Sequence, residues 1–157
     1  MQIRQQLQEA QARLRAEAQD FVRRFWDLAL QARRTRPFSE WNRYGVRVRL
    51  RTISISVEWF ENVMTGPKGN RRHRAFYVSR GAGTKYPITK FSKAAAWEKQ
   101  AIAEFEDAAA SIRQRADILV RIAKLADKYA ALQVPTGSAG KDETGSAEQE
   151  RHERGNR

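Results

Sequence analysis

The chain has 157 residues, of which 41% are hydrophobic, a formal net charge of +12 and no cysteine. That length suits one domain with one core, and the lack of thiols excludes disulfides, cysteine-type zinc sites and thiol nucleophiles. No apolar run approaches the roughly 18 residues expected of a membrane span, and the amino terminus lacks the apolar stretch of a secretory signal, so a cytoplasmic protein with no membrane partner is expected.

The first element is predicted as a long amphipathic helix over about residues 2–34. Ile3, Leu7, Ala10, Leu14, Ala18, Phe21, Phe25 and Leu28 recur at three- and four-residue spacing and make one apolar stripe. The stripe is heaviest near Phe21–Leu30, where core packing is expected. The thinner first half suits projection or pairing with another helix, which makes a homodimer through the long helices one expected partner. The helix should end before Pro37, because the residue preceding a proline disfavours the α region.

Residues 44–60 change period. Tyr44, Val46, Val48 and Leu50 alternate with Gly45, Arg47, Arg49 and Arg51, and then Ile53, Ile55, Val57 and Trp59 alternate with Ser54, Ser56 and Glu58. The apolar set moves from even to odd positions, which needs either a bulge or a turn. Arg51-Thr52 is poor chemistry for a tight hairpin, so one long bent strand with a bulge near 51–52 is the expectation. Thr65-Gly66-Pro67-Lys68-Gly69-Asn70 is a strong turn signal leading into an antiparallel strand over Arg74–Ser79. A second long helix should start with Ser92 as its cap and run to about residue 132. Its early acids, Glu98, Glu104, Glu106 and Asp107, and its late cations, Arg121, Lys124 and Lys128, complement a helix dipole. The fold class is therefore α+β, an antiparallel basic β-hairpin or small sheet packed between two long amphipathic helices. Residues 1–134 are expected to form this single domain. Residues 135–157, with almost nothing apolar, are expected to be a disordered tail.

The charge is concentrated. Residues 35–93 hold thirteen Lys/Arg against three Asp/Glu, a local +10 out of the total +12. Positive charge gathered in this way attracts phosphates through its field and through counterion release. Arg47, Arg49 and Arg51 stand opposite the apolar face of their strand and must point outward if that face is buried, because unpaired buried arginine is prohibitive. Lys68, Arg71, Arg72 and Arg74 add a second basic edge across the turn, with Arg80 and Lys85 beyond it. These nine residues are the candidate nucleic-acid-binding set, and a two-stranded basic ribbon suits a major groove. Double-stranded DNA is the favoured partner. Among the aromatics, Trp41 and Trp59 are assigned to the core, and core packing is also favoured over base stacking for Phe76, Tyr77 and Tyr86.

Catalysis is poorly served. His73 lies among Arg71, Arg72 and Arg74, whose charges disfavour the capture of a metal ion. No P-loop, metalloprotease or GxSxG pattern occurs, and Gly81-Ala82-Gly83 lacks the lysine and helix of a phosphate loop. A non-enzyme without cofactor or metal is expected. Two other readings remain open. One is an RNA-binding or helical adaptor protein that docks an acidic partner. The other is a metal-dependent nuclease using Glu58 and Glu61.

The order of basic helix, Trp41-Asn42-Arg43, Arg-rich strand, Ser56-Val57-Glu58-Trp59, Arg-rich turn, Tyr86-Pro87-Ile88 and long Glu/Ala helix resembles the MobI family over roughly residues 20–130. Those are auxiliary conjugative-transfer proteins of integrative elements and broad-host-range plasmids. The resemblance implies a bacterial protein that assists a relaxase at an origin of transfer without cutting DNA itself. It carries over no individual functional residue, so the candidate site rests on charge and strand geometry.

Overall fold

A computed structural model describes residues 2–133. Helix α1 spans Gln2–Thr35 and helix α2 spans Ala96–Leu132, with a three-stranded antiparallel sheet between them in chain order: β1 (Tyr44–Leu50), β2 (Ile55–Thr65) and β3 (Arg72–Tyr77). Short 3₁₀ turns, Phe38–Glu40 and Ile88–Phe91, make the two connections between helix and sheet. The expected tail over 135–157 lies outside the described residues.

The helices run antiparallel. Arg4 meets Asp127 at one end, Arg115 meets Glu17 at 2.8 Å further along, and Phe21 stacks edge-on against Phe105 at 5.3 Å. The predicted stripe of α1 is the face that packs, with Leu14, Ala18, Phe21, Phe25, Ala29 and Ala32 buried. Helix α2 is unbroken for 37 residues, about 55 Å of rise, and so reaches beyond the body. On that extension Ile118, Ile122, Leu125, Tyr129 and Leu132 are exposed, at alternating spacings of four and three.

In space the sheet lies across the helix pair. Its inner face carries Tyr44, Val46, Val57 and Trp59, all buried. The Trp59 ring contacts Phe25 of α1 at 4.9 Å and Phe91 at 5.6 Å, and its indole N–H donates to Glu106 of α2 at 2.7 Å. Glu106 and Arg113 are both withdrawn from water and form a two-pronged ion pair at 2.6 and 3.1 Å. Arg113 also donates to the carbonyls of Val57 and Thr84, each at 2.9 Å, and Glu106 accepts from the Tyr86 amide at 2.7 Å. One pair on α2 therefore ties down β2 and the 84–86 loop together. Glu98, also fully buried, accepts from the Tyr44 amide at 2.7 Å and anchors the start of β1. Burial pushes the Glu98 carboxyl up from its ordinary value, against the opposing pull of the Tyr44 hydrogen bond.

Three expectations are corrected. Residues 44–60 are not one bulged strand. The chain reverses at Thr52-Ile53, with Arg51 and Ser54 exchanging backbone hydrogen bonds at 2.9 and 3.4 Å, so Val46 pairs with Trp59 and Leu50 with Ile55. The apolar shift from even to odd positions is that reversal. The tip is exposed and lies across an open gap from α1, bridged where Gln11 donates to the Ile53 carbonyl at 3.4 Å. Second, α2 starts at Ala96 rather than Ser92, with no side-chain cap. The fully buried Phe91 ring sits against Tyr44 at 5.0 Å, and the 3₁₀ turn that places it there delays the helix. Third, Trp41, Phe76 and Tyr77 are exposed, whereas Trp59 and Tyr86 are buried as expected.

Candidate nucleic-acid interface

The sheet's outer face begins at Gly45, where a Cβ would come within 2.5 Å of Phe60 and 2.7 Å of Trp26. That close packing lets the Trp26 indole wrap the edge of β1 and donate to the Val46 carbonyl at 3.0 Å. Beyond it, Arg47 and Arg49 emerge on the outer face, as their alternation with Val46 and Val48 requires. Both are half exposed, and both reach Glu58, which stands directly across from Arg47 on β2, at 3.4 and 3.9 Å. The Arg47 guanidinium also lies over the Phe60 ring at 5.5 Å. Arg51 lies exposed at the entrance to the 52–53 turn.

The second cluster is at the other end of β2. Gly66 and Gly69, with φ of 108° and 94°, take left-handed conformations that ordinary residues avoid, and the Asn70 amide closes the turn on the Pro67 carbonyl at 3.0 Å. Lys68 stands on this turn, Arg71 just after it, and Arg72 and Arg74 on β3, which is exposed at every residue. Arg74 pairs with Val63 and Arg72 with Thr65, which puts them on the face opposite Arg47 and Arg49. The predicted set is thus not one patch. It forms two basic turns at the ends of β2, whose 11 residues separate them by roughly 35 Å.

Arg51, Lys68, Arg71, Arg72 and Arg74 have no ion-pair partner among the described residues. Lys85 is different, because it pairs with Asp107 of α2. Arg80 is partly buried, and its Nε has no hydrogen-bond partner. Glu58 and Glu61, the pair considered for a nuclease metal, are three residues apart on one strand and so occupy opposite faces. Glu61 instead holds Arg43 and Lys93, each at 2.9 Å. Burial alone would raise its pKa, but the two cations outweigh that and hold the carboxyl below the ordinary range.

Sequence reasoning missed a third basic region, where α1, the 38–41 turn and the β2–β3 hairpin meet. Arg33, Arg43, Arg71 and Lys93 border an open groove of about 700 Å³ there, together with Phe38 and Trp41. The cluster Pro37-Phe38-Ser39-Glu40-Trp41 is visible as a connection, but nothing in its spacing says that its aromatics face outward.

The profile of the MobI family, described as MobI protein, matches residues 14–126. This chain belongs to the MobI family. No curated protein matches it, and no solved structure does. MobI proteins are accessory to conjugative mobilization and are not a known enzyme family. The matched span takes in both hairpins, the buried Glu106–Arg113 pair and the paired parts of α1 and α2. Among the described residues no helix is long and apolar enough to cross a membrane, and no group of three or more acidic or histidine side chains could hold a metal ion.

Because Glu58 offsets two outward arginines, Glu58→Gln is expected to strengthen binding to polyanions. The variant should elute from a heparin column at higher salt than the parent protein. Elution at equal or lower salt would mean that the Arg47 and Arg49 face does not contact the polyanion.

Proposed function

We propose that this MobI-family protein is a non-catalytic accessory that binds double-stranded DNA at an origin of transfer, in the cytoplasm, and there assists a relaxase. The observation that carries this reading is the pair of exposed basic turns at the two ends of β2, with five cations free of carboxylate partners among the described residues. The two tips, at Arg51 and Lys68, are roughly 35 Å apart, about one turn of duplex, so these two cations could meet the phosphate backbone on the same side of the helix. Arginine is suited to that task because its planar fork grips phosphate through two parallel hydrogen bonds. The surface is also held on a rigid support, since β2 is fixed to α2 through Arg113 and Trp59.

The reading extends to self-association by a second copy. Ile118, Ile122, Leu125, Tyr129 and Leu132 follow the strict four-three repeat of a coiled-coil seam. In a parallel pair, Arg121 and Lys128 flank that seam opposite Ala126 and Gln133 of the other copy, so no like charges meet.

Two outcomes are expected. In fluorescence anisotropy with duplex DNA, Lys68→Ala, Arg72→Ala and Arg74→Ala combined should weaken binding. They should also flatten the salt dependence by roughly 0.9 in log K per log salt for each phosphate no longer neutralised. An unchanged slope, or displacement of the duplex by structured RNA at equal concentration, would contradict duplex recognition. By light scattering, the protein should have about twice the mass of its 18.1 kDa chain, and Leu125→Lys should halve it. A parent protein that is monomeric at micromolar concentration would remove the seam from the account.

A further inference from the structure

The groove between the 38–41 turn and the β2–β3 hairpin is separate from the outer sheet face, and its composition is unusual for a solvated surface. Phe38 is 79% exposed and Trp41 38% exposed, and the two rings meet edge to face at 5.0 Å. The pair is held in place. Pro37 leads into the 3₁₀ turn that carries Phe38, the Trp41 indole donates to the Arg36 carbonyl at 3.3 Å, and the Arg33 guanidinium sits 5.7 Å from the centre of the Trp41 ring. Arg33 is itself fixed by a 2.8 Å hydrogen bond to Asn42, a neutral partner that leaves its charge uncompensated.

Around this aromatic pair the border is cationic. Arg33 and Arg71 have no carboxylate partner among the described residues, and Arg43 and Lys93 share the single charge of Glu61. Four cations against one acid, set about exposed rings, make a poor seat for an apolar helix or an acidic protein face alone. They match a chain that presents flat rings and a phosphate at every step. Duplex DNA keeps its bases stacked inside, so Phe38 and Trp41 could reach only bases that are unpaired. The volume of about 700 Å³ lies within the roughly 300–1,000 Å³ typical of ligand pockets, and the groove is open to solvent.

We infer that this groove binds single-stranded DNA, with unpaired bases stacking on Phe38 and Trp41 and their phosphates held by Arg33, Arg43, Arg71 and Lys93. The inference rests on the proposed DNA-binding function and adds to it a second substrate form. A protein that holds duplex on its sheet and an unpaired strand in this groove would sit at a junction between the two, where a strand has been opened or released. Sequence preference is expected to be slight, because every base offers a ring face to stack.

The test measures binding of labelled oligothymidylate and of a duplex of equal length, by anisotropy, for the parent protein and three variants. Phe38→Ala and Phe38→Leu should weaken strand binding by roughly 5- to 100-fold, as removal of a base stack does, and leave duplex binding within about twofold. Phe38→Tyr should retain strand binding, and since position 38 is so exposed, none of the three should alter the fold. Strand binding by Phe38→Leu equal to that of the parent would overturn the inference, because an apolar contact without a ring would then suffice. A parent protein that binds duplex but not oligothymidylate would overturn it while leaving the duplex reading standing. Failure to bind either would sink both.

Discussion

A carboxylate and a guanidinium seven residues apart on α2, both removed from water, hold the sheet to the helix pair. Charges so buried are costly unless their hydrogen bonds are filled. Here they are. Glu106 accepts from Trp59, Tyr86 and Arg113, and Arg113 donates to Glu106, Val57 and Thr84 with its planar group 4.7 Å from the Tyr86 ring centre. The arrangement has a directional consequence that apolar packing alone would lack. It fixes which carbonyl of β2 faces α2, and so fixes the register of the sheet against the helices and which strand faces look outward.

Everything basic follows from that placement. The large apolar side chains are gathered on the inner face and between the helices, which leaves β3 with no cover on either side. A strand so exposed can carry arginines at little cost of burial, and Arg72 and Arg74 occupy one face of it, with Arg71 just before. The three acids of the central region are deployed sparingly. Glu58 and Glu61 each hold two cations, and Glu40 pairs with Arg36. Arg51 at the 51–54 turn and Lys68, Arg71, Arg72 and Arg74 at the 66–74 hairpin end therefore have no carboxylate partner among the described residues, while Arg43 and Lys93 share Glu61 at a third place, the border of the aromatic groove. A flexible linker of the same composition would attract polyanions equally well but would not hold these three apart at set distances.

Much of this is legible in the sequence. Periodicity marks both helices to within a few residues, and alternation marks Val46, Val57 and Trp59 as inward and Arg47 and Arg49 as outward. The shift of apolar residues across Leu50–Ile53 is also visible, but a bulge and a turn produce the same shift. The turn is closed by the backbone hydrogen bonds between Arg51 and Ser54 and met by Gln11 of α1, 42 positions away in the chain, and neither is visible in the spacing. The Glu106–Arg113 pair could not be read at all, because an early acid and a later cation on a long helix look like ordinary complements to its dipole. Trp41 shows the converse error. A tryptophan is most often placed inside, and only the three-dimensional position of the 38–41 turn reveals that its ring lies at the surface beside Phe38.

If the ion pair on α2 organises the sheet, a double-mutant cycle on Glu106 and Arg113 will show it most directly. Urea unfolding of Arg113→Met, Glu106→Leu and the double variant would be compared with the parent protein. Each single change should cost roughly 3–5 kcal/mol, because the partner is left buried and unpaired. The double change should recover a good part of that deficit, with a coupling of about 2 kcal/mol or more. Single costs below about 1 kcal/mol, or a double cost equal to the sum of the two to within about 0.5 kcal/mol, would contradict the account.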